Sequence, residues 1–101
     1  MIFLVISHPR PERPSMVAPR RMDFWRWIAP KLKSRQALWA YPRVGRGVAT
    51  AFDVDSHEAL HTLLTEWAEM VPAEFDVYPL LDAAKAQRML AAPRRAKKKH
   101  P

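Results

Sequence analysis

The two glycines of this 101-residue chain lie almost side by side, at Gly45 and Gly47, with Arg46 between them. Glycine adopts positive backbone φ angles without steric cost, so a tight turn is favoured where two glycines cluster. Segments rich in apolar residues flank this position, over residues 37–41 and 48–54. Their β-branched and aromatic content is typical of strands, so the pattern predicts a β-hairpin in the middle of the chain.

Two further strands are predicted nearer the ends of the sequence. Residues 2–6 form a continuous apolar run, which is typical of a strand buried on both faces. Residues 74–78 alternate polar and apolar side chains, as in a strand with one solvated face. Three prolines within residues 8–14 predict a loop after the first strand, because proline has no backbone N–H to donate.

Helical periodicity accounts for the segment that follows this loop. Its apolar residues recur at helical spacing at Met22, Trp25, Ile28 or Ala29, and Leu32, and the stripe is widened by Phe24 and Trp27. We expect Ser15 to cap this helix at its N-terminus. We also expect Pro30 to kink or shorten it, because proline removes one backbone hydrogen bond and its ring clashes with the preceding turn.

The second helix has the clearer pattern. Its apolar residues follow the i, i+3, i+4, i+7 spacing at Leu60, Leu63, Leu64, Trp67 and Val71. Either Asp55, in a capping box with Glu58, or Ser56 is expected to cap its start, and Pro72 is expected to end it. Residues 82–90 predict a short terminal helix.

The predicted order is β-α-β-β-α-β followed by the short helix. Two β-α-β halves joined by a hairpin predict a ferredoxin-like α+β plait, with both helices on one face of an antiparallel sheet, as one domain over residues 1–92. The other sheet face would expose an apolar patch too large for a stable monomer. We therefore expect a second copy to cover it, giving a dimeric α+β barrel or a larger homo-oligomer of such dimers.

The composition excludes several classes of protein. With 49% hydrophobic and 27% charged residues the chain is globular in composition, and without cysteine it has no disulfide or thiolate site. No stretch approaches the roughly 18 consecutive apolar residues of a membrane span, and no signal-peptide pattern begins the sequence. We expect a cytoplasmic protein with no membrane partner.

The net charge of +7 is unevenly distributed. Residues 8–35 carry eight basic side chains against two acidic ones, and residues 36–92 carry four against eight. Residues 93–101 add five basic side chains without an apolar pattern, so we expect a disordered tail that either binds polyanions or only solubilises the chain. A nucleic-acid partner is disfavoured, because no aromatic residues are interleaved with the tail charges.

One stretch of the chain resembles a known family. Residues 48–61, with Phe-Asp-Val at 52–54, a cap at Ser56 and Leu-His at 60–61, are similar to the muconolactone isomerase family. The resemblance extends loosely over residues 36–82. It implies a ferredoxin-like subunit in a dimeric α/β barrel, often assembled into a decamer. The implied activity is cofactor-free isomerisation of a small unsaturated lactone acid in aromatic catabolism.

A double-bond shift of this kind needs a base and a donor to an enolate oxygen. We predict His61 as the base, because an unperturbed imidazole titrates near neutral pH, and Tyr41 as the donor. The predicted substrate-binding residues are Arg43, Trp39, Asp53 and Tyr78, with Arg43 holding a carboxylate bidentately. The alternatives are ordinary structural roles: a helix-start position for His61, half-buried strand positions for the tyrosines and a hairpin charge for Arg43.

No cofactor is expected, because the reaction implied by the resemblance needs neither a metal nor a nucleotide. His57 and His61 have an i, i+4 spacing that can bind zinc, but no third ligand follows at a recognisable spacing, so no metal site is predicted. The alternative function is a non-catalytic small-molecule-binding or assembly subunit, since fold does not determine function.

Overall fold

A computed structural model describes residues 1–91. Its strands are β1 (Ile2–Pro9), β2 (Ala37–Pro42), β3 (Val48–Asp53) and β4 (Ala73–Leu80). Its helices are α1 (Pro14–Ser34), α2 (His57–Met70) and α3 (Ala83–Ala91). The sheet order is β2-β3-β1-β4 with every neighbouring pair antiparallel, which confirms the predicted ferredoxin-like α+β fold. The predicted tail, residues 93–101, lies outside the described residues.

Side chains along each strand alternate between two faces of the sheet. On β1, Phe3, Val5 and Ser7 are buried, whereas Leu4 and Ile6 on the opposite side are only partly buried. Phe3 and Val5 belong to the hydrophobic core that includes the buried residues of the two long helices. We call this side the covered face and the opposite side the open face.

Trp67 of α2 lies at the centre of the packing on the covered face. Its ring centroid is 4.6 Å from that of Phe24 on α1 and 5.0 Å from that of Phe75 on β4. Only 2% of Trp67 is exposed. The predicted apolar stripe of α2 is confirmed in its central positions, because Leu60 and Leu63 are buried with it. Burying one such side chain contributes roughly 1.5–3 kcal/mol.

The N-terminus of α1 differs from the prediction. The helix begins at Pro14, with Arg13 rather than Ser15 at the N-cap position. The fixed φ of proline suits the first helical turn, where its missing N–H has no partner to lose. Ser15 is therefore an ordinary residue of the first turn.

The course of α1 also departs from the prediction. The helix continues past Pro30 to Ser34, so Pro30 does not shorten it there. Met22 was predicted in the buried stripe but is 52% exposed. The stripe is confirmed at two other predicted positions, Phe24 and Ile28, which are both buried.

The predicted hairpin between β2 and β3 is confirmed. Gly45 and Gly47 have φ angles of 97° and 96°, in the left-handed region that favours glycine. The backbone N–H of Arg43 donates to the carbonyl of Gly47 at 2.8 Å. A Cβ added at Gly47 would overlap the main-chain oxygen of Ser7, whereas at Gly45 it would meet no neighbouring atom. Close approach of β1 therefore adds a second requirement for glycine at position 47.

β1 is longer than predicted. It continues through His8 to Pro9, in the segment predicted as loop, because β4 pairs with it as far as Ala73. The edge strands of the sheet are β2 and β4, and each contains a proline, Pro42 and Pro79.

Helix starts are capped by side chains at two places after the hairpin. Of the two residues predicted as alternatives, Ser56 caps α2, and its Oγ accepts a hydrogen bond from the N–H of Ala59 at 3.0 Å. Asp82 accepts a hydrogen bond from the N–H of Ala84 at 2.9 Å at the start of α3. The described part of α3 buries none of its residues. Among the helices that the structure describes, none is long and apolar enough to cross a membrane.

Candidate functional site

A cavity of about 150 Å³ lies between the β2–β3 hairpin, the end of β1 and the two long helices. A cavity of this volume accommodates one six-membered ring. Its wall is formed by Ser7, Pro9, Arg21, Phe24, Trp25, Pro42, Arg43, Gly45, Arg46, Gly47, Val48, Trp67 and Val71. The rings of Phe24, Trp25 and Trp67 give it flat apolar surfaces, so its shape suits a small planar molecule.

Three arginines line this cavity, and no acidic side chain does so among the described residues. Arg21 comes from α1, and Arg43 and Arg46 come from the turn after β2. Within residues 1–91, no carboxylate lies within ion-pair distance of these three guanidinium groups. Guanidinium groups bind planar carboxylates bidentately. The cavity therefore favours an anionic ligand.

Arg46 fixes the proline-rich segment beside the cavity. One guanidinium nitrogen donates to the carbonyl of Arg10 at 2.7 Å, and the other donates to the carbonyl of Glu12. The carboxylate of Glu12 accepts a hydrogen bond from Arg20 at 2.6 Å. These bonds connect the hairpin, the segment between β1 and α1, and α1 itself.

Arg43 connects the cavity with the open face. Its Nη1 donates to the carbonyl of Ser7 at 3.0 Å and lies 3.2 Å from Nδ1 of His8. The Nε2 of His8 lies 2.7 Å from Oδ2 of Asp76 on β4. Of the six site residues predicted from the sequence, Arg43 is the one that the structure places in the cavity wall.

Three predicted site residues, Trp39, Tyr41 and Tyr78, lie together on the open face. The ring centroids of Trp39 and Tyr41 are 5.7 Å apart. Trp39 pairs with Ala51, and Tyr78 pairs with Leu4, so they occupy one row across the sheet. Their exposed fractions are 37% for Trp39, 66% for Tyr41 and 48% for Tyr78. The structure separates this group from the cavity.

Asp53 and His61 lie elsewhere. Asp53 is exposed at the end of β3, where its carboxylate is 3.4 Å from the amino group of Met1. His61 is exposed on α2 and lines a shallow groove with Phe75 of β4. Trp67, which lines the cavity, follows His61 by six residues, or about 9 Å of helix at 1.5 Å per residue. Within one chain, neither Asp53 nor His61 lines the cavity.

Four residues at or beside the cavity were not predicted from the sequence: His8, Asp76, Arg21 and Arg46. His8 was assigned to a loop, and the pairing of β1 with β4 that brings it to Asp76 has no local sequence signal. The two arginines have the pattern of ordinary surface charges and meet only through the fold. His57 and His61 are one turn apart, but within residues 1–91 no group of three metal-ligating side chains is brought together.

Comparison with known proteins identifies a family. A family model described as "Domain of unknown function (DUF3303)" matches residues 1–94. The match does not name the muconolactone isomerase family, which the motif at residues 48–61 resembles. The search of curated proteins finds no match.

A solved structure has the same fold. It is 5-chloro-2-hydroxyhydroquinone dehydrochlorinase (TftG) from Burkholderia phenoliruptrix, in complex with 2,5-dihydroxybenzoquinone. The similarity has a TM-score of 0.64 and covers 84% of this chain and 98% of that chain, at 17% sequence identity. At this level of identity the match establishes a common α+β fold.

Proposed function

Since the chain belongs to DUF3303, a family defined as a domain of unknown function, its activity has to be inferred from its own site, and we propose that it binds and isomerises a small planar organic anion. The proposed reaction is a cofactor-free proton transfer on an unsaturated lactone acid or a related ring. One observation carries the proposal, namely a ring-sized cavity lined by three arginines, three aromatic side chains and, among the described residues, no carboxylate.

The charge and shape of the cavity support binding of an anionic ring. Arg43 and Arg21 approach the cavity from different elements, so together they can hold a carboxylate or an enolate oxygen. The aromatic walls from Trp25 and Trp67 suit a flat ligand, because aromatic rings pack against other rings in offset-stacked or edge-to-face arrangements. The solved structure of TftG contains 2,5-dihydroxybenzoquinone, a planar six-membered ring, which favours the same ligand shape.

The proton-transfer step is the finer part of the proposal. His61 as the base and Tyr41 as the donor stay predictions, because both lie outside the cavity of their own chain. A ligand on the open face would contact Tyr41, Trp39 and Tyr78, whereas one in the cavity would contact Arg43. The alternative is a binding subunit without turnover. Solvent-deuterium exchange into the ligand distinguishes it from an enzyme.

We also propose that two copies associate through their open faces. Trp39, Tyr41, Tyr78 and Leu80 are all more than one third exposed there, next to partly buried Leu4. A contiguous apolar surface of this kind is typical of a protein–protein interface. Association would enclose these aromatic side chains in a barrel between the two sheets.

The binding proposal is tested with benzoate and its uncharged analogue benzamide, using tryptophan fluorescence, since Trp25 and Trp67 line the cavity. We expect benzoate to bind more tightly than benzamide, and Arg43→Gln to weaken benzoate binding by about tenfold through loss of a charge-assisted contact. Arg26→Gln is the matched control, because Arg26 is exposed on α1 and pairs with Asp23. Equal effects of the two substitutions would contradict an anion site in the cavity.

The reaction is tested by solvent-deuterium incorporation into a panel of unsaturated lactone acids. If the chain is an isomerase, the wild type exchanges a proton next to the carbonyl faster than buffer does. If His61 is the base, His61→Asn lowers this rate by roughly 10²–10⁴-fold. Binding without exchange across the panel would support the non-catalytic alternative. Exchange that survives His61→Asn would exclude His61 as the base.

A further inference from the structure

We propose that His8 is a positioning residue for Arg43, and that its protonation weakens anion binding in the cavity. This inference rests on the anion site proposed above and names a regulation of that site. Its basis is the continuous set of contacts from Asp76 through His8 to Arg43, which itself lines the cavity.

The contacts fit one protonation state of His8. A carboxylate only accepts hydrogen bonds and a guanidinium only donates them. The Nε2 atom, 2.7 Å from Asp76, therefore has to carry a proton, and the Nδ1 atom, 3.2 Å from Arg43, has to offer a lone pair. This is the neutral Nε2–H tautomer. Asp76 selects the tautomer, and the tautomer supplies the acceptor that orients Arg43.

Protonation of His8 removes that acceptor. An imidazolium carries a hydrogen on both ring nitrogens, so Nδ1–H would point at a guanidinium that also carries only donors. Arg43 would keep the carbonyl of Ser7 as a partner but would lose the contact that fixes its direction. Its guanidinium would then spend less time in the orientation that binds a ligand carboxylate bidentately.

The charged groups around His8 have opposite effects on its protonation. Asp76 of β4 contacts His8 directly. Glu74, which also lies on β4 and is the cross-strand partner of His8, adds a second carboxylate nearby. Arg43 contacts it from the hairpin side, and Arg10 lines the same surface groove. A proton added to His8 also brings a positive charge toward the cavity, but 44% of the His8 side chain is exposed, so solvent and salt screen its attraction for an anion. We expect the lost orientation of Arg43 to outweigh this attraction, so that protonation of His8 weakens anion binding.

The test measures the affinity for benzenesulfonate, an anion that stays ionised throughout, from about pH 8 to about pH 5.5, the range over which histidines commonly change charge. We expect the affinity of the wild type to fall by about fivefold over this range. Benzenesulfonamide is the uncharged probe, and we expect no comparable change for it. A wild-type affinity for benzenesulfonate that stays constant or rises as the pH falls would overturn the proposal.

Three substitutions separate orientation from charge. His8→Asn places an uncharged amide oxygen near the position of Nδ1, so we expect wild-type affinity at about pH 8 and no dependence on pH. His8→Ala removes the acceptor, and we expect about fivefold weaker binding at every pH. His8→Lys mimics the protonated state, and we expect binding as weak as that of His8→Ala. Tighter binding by His8→Lys would show that charge, and not orientation, controls the site.

A ligand-free measurement keeps this inference distinct from the proposed function. Long-range ¹H–¹⁵N spectra of imidazole groups identify the tautomer of His8 directly. We expect the Nε2–H tautomer in the wild type and in Asp76→Asn, whose amide oxygen still accepts, and a mixture of tautomers in Asp76→Ala. An Nδ1–H tautomer in the wild type would refute the positioning role even if benzoate binds. Failure of every anion to bind would instead refute the proposed anion site.

Discussion

The covered face and the open face are built from the same four strands, but they differ in how their apolar side chains are enclosed. On the covered face, Phe52 of β3 and Trp67 of α2 are almost completely buried within one chain. On the open face, Tyr41 and Tyr78 remain about half exposed or more, although their neighbours across the sheet, Ala49 and Leu4, are apolar. The covered face is completed by its own chain, whereas the open face is apolar without being enclosed by residues 1–91.

This difference separates two kinds of position. A side chain on the covered face stabilises the fold itself, so its loss should be measurable in a single chain. A side chain on the open face contributes little until another molecule covers it, so its loss should depend on protein concentration. Arg43 is the exception, because it lines the cavity on one side and contacts His8 on the other.

The largest contrast is expected between two tryptophans. Trp67→Ala should lower the free energy of unfolding by about 3–5 kcal/mol, because it leaves a large cavity in the core. Trp39→Ala should cost less than this at low protein concentration, because 37% of Trp39 is exposed on the open face whereas 2% of Trp67 is exposed. Urea unfolding of both variants at several protein concentrations measures this contrast.

If a second copy covers the open face, the cost of Trp39→Ala should grow with protein concentration while that of Trp67→Ala stays large throughout. Equal losses in the free energy of unfolding for the two substitutions at every protein concentration would contradict the difference between the covered face and the open face.

A smaller effect is expected at the hairpin, where the cavity wall depends on glycine. Gly47→Ala should destabilise the chain by about 1–3 kcal/mol, because its positive φ is strained for alanine and the Cβ would also overlap the backbone of Ser7. Gly45→Ala has nearly the same φ but no neighbouring atom, so it isolates the cost of conformation. Thermal unfolding of both variants is measured, and the difference between them gives the cost of the overlap with β1 at position 47. Equal melting temperatures would show that β1 moves aside freely.

The third contrast concerns association and should be the smallest in free energy. Tyr41→Lys places a charge in the proposed interface and should raise the dissociation constant of the dimer by about tenfold, or 1.4 kcal/mol. Thr62→Lys, at an exposed position of α2, is the control and should leave it unchanged. Light scattering across a dilution series measures both variants. A wild type that is a folded monomer at every concentration would contradict the interface.

The sequence predicted those parts of the fold whose signal is local. The hairpin followed from Gly45 and Gly47, and α2 followed from its apolar periodicity with Pro72 immediately after Val71. The start of α1 was not predicted, because Ser15 and Pro14 are both suited to a first turn and only the packing of the following residues decides between them.

The candidate site was predicted only in part, because its residues are distant in sequence and meet through the register of the sheet. Arg43 was predicted to hold a carboxylate, and it lies in the cavity wall. Arg21 and Arg46 looked like surface charges, and His8 meets Asp76 only because β1 pairs with β4 at the opposite end of the chain. Tyr41 and Tyr78 were correctly expected on strands, but their common face depends on which side the helices cover.

The prolines on the two edge strands have a consequence for how copies of this chain can meet. Pro42 on β2 and Pro79 on β4 each remove a backbone donor from the outermost strands of the sheet. Edge-to-edge pairing, which would add one sheet to the next without limit, is thereby disfavoured at both sides. Face-to-face contact has a two-fold symmetry that closes on itself after two copies. The same sheet thus discourages growth into an open-ended fibre while leaving its apolar face available for a closed pair.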